Sequence, residues 1–336
     1  MAEAVFHSTQ IGVETTFGTS VAATTVLPLD AGSGYAVLDR APEIPDEDYG
    51  RAVRNAQSGR GSTGVRLVTG SMAAPACFES GLGQLLNMCL GVDVPTGGPT
   101  YIHTHTGIST SDTLKNYTIE INNDLQDFEI PSVTITRLTL GFDRLSSPGN
   151  AMWRWSADFQ GVDLVKAAAT GALSAPATLE TMEGHLTILS EGSIATAYGS
   201  LAALTASLER YELSIENPRP PRVTGSATTD VASSWGLGKR LVTVSEDLKF
   251  TSTTVTNVFD MFNVAGSVPT ERRQRIAIDG SGVNAATIDH QLEYKNVNIE
   301  ESDGEIIVSV DAEAVYNSTL ASDLVLILTN TVSVWP

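Results

Sequence analysis

The sequence has few cysteines, few basic residues and no long apolar run. Its 336 residues include two cysteines and 20 basic against 39 acidic residues, a net charge of -19. A chain with this net charge repels nucleic-acid phosphates, which argues against a DNA-binding protein. Two cysteines cannot form a disulfide framework, and no segment reaches the roughly 20 apolar residues needed to span a bilayer. The first residues, MAEAVFHSTQ, lack the basic and apolar regions of a signal peptide. We therefore expect a soluble chain made in the cytoplasm, without a membrane partner.

The sequence also lacks the motifs of known catalytic and cofactor sites. GLGKR at 236–240 has neither the first glycine nor the hydroxyl residue of a phosphate loop. His103 and His105 share one face of a predicted strand, but no nearby cysteine or carboxylate cluster completes a metal site, so an exposed strand is favoured. No nucleophile elbow or histidine signature frames a nucleophile. We predict no enzyme, no metal and no cofactor.

What the sequence does contain is a repeat. The segments 66–96 and 240–270 align without gaps and are identical at eight positions, where about two matches are expected by chance. The shared residues are Arg66/Arg240, Leu67/Leu241, Val68/Val242, Thr69/Thr243, Ser71/Ser245, Val94/Val268, Pro95/Pro269 and Thr96/Thr270. Further on, YTIEIN at 117–122 and QRIAID at 274–279 correspond at a shorter spacing, as do Ile135, Leu140 and Phe142 with Leu292, Val297 and Ile299.

Each copy is predicted to hold one helix after its first strand. Apolar residues recur at helical spacing in both copies. They are Phe78, Leu82, Leu85, Leu86 and Cys89 in the first copy, and Val255, Val258, Phe259 and Phe262 in the second. Cys77 and Cys89 lie in the same predicted helix, about 18 Å apart at 1.5 Å per residue, too far to bond to each other. They are expected to be reduced and buried.

Each copy also ends in a predicted hairpin with a strictly alternating return strand. The apolar positions are Trp153, Trp155, Ala157 and Phe159 in the first copy, and Ile306, Val308, Val310, Ala312 and Ala314 in the second. Polar residues occupy the opposite face, which is typical of an antiparallel sheet with one face on the core and the other in solvent. We predict a mainly β chain of two tandem β-sandwich or barrel domains, each with one flanking α-helix and a long β-hairpin.

The predicted boundaries follow from these copies. Residues 1–30 form an N-terminal arm that belongs to neither copy. The first domain spans 31–175, the second spans 176–320 with a linker-rich start to about 206, and 321–336 form a C-terminal strand.

The N-terminal segment carries a resemblance to a known family. GVETTFGTSVAATTVLPL at 12–29 is similar to the G-x-E-T-x-x-G-T-x-V start of tail tube proteins of long-tailed bacteriophages. The matching residues are Gly12, Glu14, Thr15, Gly18, Thr19 and Val21. The acidic segment PEIPDEDYG and the plan of sandwich, helix and hairpin also resemble that family, and the similarity spans most of the chain.

The resemblance implies a structural virion protein that assembles into stacked rings and forms the tail tube, a conduit for DNA. Neighbouring hairpin strands are then expected to join edge to edge. Because most relatives have one tube domain and form hexamers, two domains per chain imply a trimeric ring with pseudo-sixfold symmetry. Its partners would be further rings, tail terminator and tail-tip proteins at the ends, and tape measure protein and DNA passing without specific binding.

Two sets of residues are candidates for contacts in such a tube. An acidic lumen keeps DNA mobile, and the candidate lumen-facing residues are Asp158, Gln160, Glu293, Asp311 and Glu313. The arm is expected to pack on an adjacent subunit or the next ring through Glu14, Thr15, Phe17, Val21 and Leu27.

Other functions are compatible with a repeated β-sandwich. A capsid decoration or baseplate hub protein would lack stacking into tubes. A duplicated adhesin or carbohydrate-binding module would expose aromatic platforms, whereas Trp153 and Trp155 lie on the apolar side of the alternation.

Overall fold

The computed structural model describes residues 7–30, 33–40, 66–91, 93–107, 114–123, 126–144, 151–168, 170–171, 173, 179–204, 208–223, 231–251, 254, 258, 271–302, 304–333 and 335. The mainly β prediction is confirmed. Up to residue 166 the strands are β1 (His7–Val13), β2 (Thr25–Leu27), β3 (Ala36–Arg40), β4 (Arg66–Pro75), β5 (Thr96–Gly97), β6 (Tyr101–Thr106), β7 (Tyr117–Asn123), β8 (Phe128–Asp143), β9 (Arg154–Gly161) and β10 (Val165–Lys166). Beyond it are β11 (Thr187–Ser193), β12 (Ala202–Ala203), β13 (Leu208–Glu216), β14 (Pro221–Arg222), β15 (Ser234–Trp235), β16 (Leu241–Lys249), β17 (Glu271–Asp279), β18 (Ala285–Ser302), β19 (Glu305–Val315) and β20 (Leu324–Asn330).

The helix of the first copy, α1 (Leu82–Cys89), is shorter than predicted. Cys77 lies before it in a β-bridge to Thr181, so the two cysteines do not share a helix, although both are reduced and buried. All eight helical residues are buried, whereas one apolar face was expected. Of the second predicted helix only Val258 among the apolar positions is described, and it is buried in the core; Val255, Phe259 and Phe262 lie outside the described residues.

Eight strands form one continuous antiparallel sheet. Their order is β3-β4-β9-β8-β13-β16-β19-β18. One face of this sheet holds the core, including Trp155, Leu138, Leu213, Val244 and Val310. We call the other side the polar face, because it carries Thr69, Asp158, Ser214, Thr243, Asp311 and their neighbours in register.

Two flanking sheets cover the core. One is ordered β2-β1-β7-β8-β10, and the other β12-β11-β17-β18-β20-β6-β5. The long strands β8 and β18, of 16 and 18 residues, belong to both layers. Each has a register shift where it enters the eight-stranded sheet, at Thr136 and at Lys295. Such bulges bend a strand and let it pass from one sheet to the next.

The same set of strand pairings occurs twice along the chain. The corresponding pairs are β1–β2 and β11–β12, β1–β7 and β11–β17, β7–β8 and β17–β18, β8–β9 and β18–β19, β4–β9 and β16–β19, β3–β4 and β13–β16, and β8–β10 and β18–β20. The registers also agree, since Ser71 pairs with Asp158 and Ser245 pairs with Asp311. Counted from the bulges, Leu138 corresponds to Val297, so the spacing read from the sequence in this strand was wrong by two residues.

The N-terminal segment belongs to the fold of its own chain, contrary to the prediction of a separate arm. β1 pairs with β7 as β11 pairs with β17, and β2 adds to β1 as β12 adds to β11. Sequence inspection missed β1 because two of its residues, Thr9 and Gln10, are polar yet buried. The Gln10 side chain donates to the Thr170 carbonyl at 3.2 Å and accepts from the Leu173 amide at 2.8 Å.

The C-terminal strand β20 lies between the two halves of the chain. It pairs with β18 on one side and with β6 on the other. Beyond it, Trp335 is buried against α1, where a methyl group on Gly83 would overlap its indole. Among the described residues no helix is long and apolar enough to cross a membrane.

Candidate functional site: the polar face and the sheet edges

The polar face runs across both halves of the chain. Three grooves open on it. One contains Thr139, Ser156 and Glu212, the second Thr243 and Asp311, and the third Val37, Thr69 and Asp158. Directly opposed residues of antiparallel strands point to the same side, so the register places all of these side chains on one face.

Basic side chains on the polar face are engaged by carboxylates. Arg210 donates from Nε to Asp247 at 2.6 Å, and this hydrogen bond raises the pKa of the guanidinium. Lys295, at the second bulge, lies 2.8 Å from Glu293 and 3.7 Å from Glu313, and the hydrogen bond to Glu293 raises its pKa. The cations on this face are therefore neutralised locally.

The exposed acids Asp158 and Asp311 occupy corresponding positions in the two halves. Within the described part of the chain, no ion pair joins either carboxylate to a cation. The polar face thus presents uncompensated negative charge, in line with the acidic composition.

Two strand edges bound the eight-stranded sheet. Among the described residues β3 pairs only with β4, and residues 294–302 of β18 pair only with β19. Apolar side chains are exposed at both edges, with Leu38 44% exposed on β3 and Ile299 40% exposed on β18. Unpaired edges with exposed apolar residues are templates for pairing with another chain.

The comparison with known families identifies the kind of protein that carries this acidic face and these two edges. The model of the phage tail tube protein family matches residues 7–314. The chain belongs to this family. No curated protein sequence matches it. Because it belongs to the tail tube family, the chain is a structural tail tube protein of the virion, and none of the alternative β-sandwich functions is favoured.

In this tail tube protein the five candidate lumen-facing residues lie on the polar face by register. Asp158 and Asp311 are exposed on the polar face, and Glu293 and Glu313 are half-buried beside Lys295. Gln160 shares this face by register but is only 8% exposed, because its amide donates to the Arg219 carbonyl. Gln160 is thus not solvent-facing, contrary to expectation.

The five candidate arm residues divide between core and surface. Glu14 and Leu27 are buried within their own chain, so the prediction that they contact a neighbour is wrong. Phe17 is half-buried and meets the Trp235 ring edge-on, with centroids 5.7 Å apart. Val21 is half-buried and Thr15 is exposed, and their contacts in an assembled tube stay a prediction.

The histidine pair in this tail tube protein is buried, not exposed as the sequence indicated. β20 pairs with β6, and His103 lies between the Asp93 carboxylate, which contacts Nδ1, and the Val332 carbonyl, 2.7 Å from Nε2. Both ring nitrogens of His103 thus lie against oxygen atoms that can accept hydrogen bonds. Burial lowers the pKa of His105 to about 4. The described residues contain no cluster of three or more metal-ligating side chains.

The second half has a buried polar cluster behind its polar face. Gln274 donates to Glu246 Oε2 at 2.8 Å, and its carbonyl oxygen lies 2.7 Å from His290 Nε2. Burial, with a contribution from Glu191, raises the pKa of Glu246 from its ordinary 4.5 to about 8. Burial lowers the pKa of His290 to about 3. Both groups are therefore neutral near pH 7.

Sequence inspection missed the edge strand β3, at 36–40, because β3 precedes the repeat that begins at Arg66 and Arg240. Its counterpart in the second half is β13, the strand that pairs with β8 and joins the halves. Residues 294–302 were predicted as part of a hairpin, and the strand order shows that they form the other edge.

Proposed function

We propose that three chains close into one ring of the phage tail tube, with pseudo-sixfold symmetry, and that rings stack into the conduit for DNA. Each chain supplies two tandem tube domains, divided in the segment before β11. The repeated set of strand pairings supports this division, because each set builds a similar sandwich. Three chains of two domains then give six corresponding positions around the ring.

The observation that carries this proposal is the junction of the two halves. β13 adds to β8 in register from Arg210–Asp143 to Glu216–Arg137, so the halves already share one sheet. A ring requires the same edge-to-edge addition between chains, and β3 and β18 offer edges for it. Three sheets of eight strands would close into a wall of twenty-four strands without free edges.

The polar face is proposed to line the lumen. Duplex DNA carries one negative charge per about 1.7 Å of its axis, so an acidic wall repels it and lets it pass. Asp158 and Asp311 provide this charge at corresponding positions, with Glu293 and Glu313 beside Lys295. Basic residues that would hold phosphates are engaged by neighbouring carboxylates.

The role needs partners but no catalysis. Rings would stack on one another, meet tail terminator and tail-tip proteins at the tube ends, and enclose tape measure protein and then DNA. The chain is proposed to act through its acidic polar face and its two sheet edges.

Native mass spectrometry of purified rings, with averaged end-on electron-microscopy images, tests this proposal. We expect three copies of the 35.5 kDa chain per ring and a sixfold-like projection. Six copies per ring would refute the trimer, and isolated globules at all concentrations would refute ring assembly by this chain alone.

A further inference from the structure

The two open edges of the eight-stranded sheet have internal counterparts. β3 pairs with β4 in the way that β13 pairs with β16, and β18 pairs with β19 in the way that β8 pairs with β9. β13 and β8 are paired with each other inside the chain. The internal junction is therefore a template for the way in which β3 and β18 can meet.

The template fixes a register. Ser214 pairs with Thr243 on one side and Thr139 on the other. Val37 corresponds to Ser214, because it pairs with Thr69, the counterpart of Thr243. In a junction between two chains, Val37 of β3 is therefore expected to occupy the position that Ser214 occupies in the internal junction.

The β18 side follows from the bulges. Thr139 pairs with Ser156 three residues after the bulge at Thr136, and Asn298 pairs with Ser309 three residues after the bulge at Lys295. Asn298 is thus the counterpart of Thr139, and it is expected opposite Val37.

We infer that β3 of one chain adds antiparallel to the end of β18 in the next chain, with Val37 opposite Asn298 and Leu38 opposite Val297. This inference rests on the proposed ring and specifies its interface. The occupant of each edge is a second copy of this chain.

Burial on the core side supports this register. In the internal junction Ile215 faces Leu138 and Leu213 faces Leu140, and all four side chains are buried. Their counterparts at the open edges are Leu38 with Val297 and Ala36 with Ile299. Leu38 and Ile299 are exposed in the single chain, and docking in this register would bury them as their counterparts are buried.

Paired cysteines test the register. Val37→Cys with Asn298→Cys is expected to give interchain disulfides under mild oxidation, seen on a non-reducing gel as a ladder that ends at the trimer. A disulfide needs Cα atoms about 4.4–6.8 Å apart, which directly opposed residues satisfy. Cys77 and Cys89 are buried and do not compete.

Two matched pairs control this test. Val37→Cys with Glu300→Cys shifts the register by two residues, or about 7 Å along the strand, and is expected to cross-link at least tenfold less. Ser214→Cys with Thr139→Cys places cysteines on the template pair and is expected to close within one chain.

The outcomes separate the register from the ring. If rings contain three chains and the template pair closes, but the shifted pair cross-links as well as the in-register pair, the register is overturned while the ring stands. If rings contain six chains, the ring proposal fails first.

Single substitutions provide a second readout that does not require oxidation. Leu38→Lys on β3 and Ile299→Lys on β18 change exposed residues, so the chain is expected to fold, but each is expected to weaken ring association roughly tenfold or more by burying a charge. Val283→Lys is the control, since Val283 is 44% exposed, like Leu38, and lies in the turn before β18. Equal ring formation by Leu38→Lys and the control, measured by sedimentation, would overturn the interface.

Discussion

Glu14, which directly follows β1, accepts three hydrogen bonds from described residues, and two of them come from Ser132 of β8. The Ser132 amide lies 2.6 Å from Oε1 and its hydroxyl 2.6 Å from Oε2, while the Thr118 hydroxyl donates to Oε1 at 2.8 Å. Ser132 has a φ of 52°, a left-handed conformation rare for a residue with a side chain. The Glu14 carboxylate thus connects the N-terminal segment to β7 and β8 by hydrogen bonds.

We predict that Glu14→Ala lowers the free energy of unfolding by about 2–4 kcal/mol, because it leaves buried donors without an acceptor. Chemical denaturation measures the change. Thr15→Ala is the matched control, since Thr15 is exposed and its neighbour carries the contact. A Glu14→Ala protein as stable as this control would show that the hydrogen bonds to Ser132 contribute little.

The raised pKa of Glu246 predicts a pH-dependent stability. The folded chain holds Glu246 protonated up to about pH 8, whereas its ordinary pKa is 4.5. The groups around it are Glu191 from β11, Tyr211 from β13, Tyr294 from β18 and the adjacent Asp247. The folded state therefore binds a proton that the unfolded state releases. Stability from this group is full below pH 4.5 and is lost as the pH rises to 8, with a slope of up to about 1.4 kcal/mol per unit.

Glu246→Gln removes this proton exchange while keeping the shape and the bond from Gln274. We expect its free energy of unfolding to vary less between pH 5 and 8 and to exceed that of the unmodified chain at pH 8. Denaturation at fixed protein concentration across this range is the measurement. An unchanged pH slope would mean that Glu246 is ionised in the folded chain.

Charge reversal on the polar face tests the lumen. We predict that Asp158→Lys with Asp311→Lys leaves tubes intact but slows DNA ejection from virions severalfold, because lysines attract phosphates at corresponding positions of both halves. Asp279→Lys is the control, since Asp279 is exposed at the end of β17 in a flanking sheet. Ejection followed by DNA dye fluorescence at the same rate in all three samples would place the polar face outside the channel.

Trp335 and Gly83 are predicted to be energetically coupled. Trp335→Ala empties a buried indole site and is expected to cost about 3 kcal/mol. Gly83→Ala alone should destabilise by about 1–3 kcal/mol through overlap with the indole. In the Trp335→Ala background the same alanine should be neutral or stabilise by up to about 1 kcal/mol, because alanine is the better helix former. A double-mutant cycle measures the coupling, and additive effects would contradict the contact.

The features that could be read from the sequence are those with local periodicity. Trp153, Trp155, Ala157 and Phe159 were predicted on one face, and all four are buried. Ile306 follows the same alternation but is exposed beside the hairpin turn, where none of the described strands packs over it. Periodicity reports which face a residue is on, and burial depends also on what packs there.

The features that sequence missed depend on distant partners. Gln10 is buried because the Thr170 carbonyl and the Leu173 amide form hydrogen bonds with its side-chain amide. His103 is buried because β20, more than 200 residues later in the chain, pairs with β6. Neither partner is visible in the local pattern. The polar face was predictable from alternation, whereas its edges required the strand order, since an edge is defined by the absence of a neighbour.

The position of β20 between β18 and β6 also sets an order of events during synthesis. Protein domains fold from the N-terminus as they leave the ribosome. β6 precedes β20 by more than half of the chain. The backbone N–H and C=O groups on the β20 side of β6 therefore have no β20 strand to pair with until β7 to β19 have been synthesised. β20 joins the first half to the second, and until it emerges the unpaired edge of β6 in a nascent chain is open to strands of other nascent chains nearby.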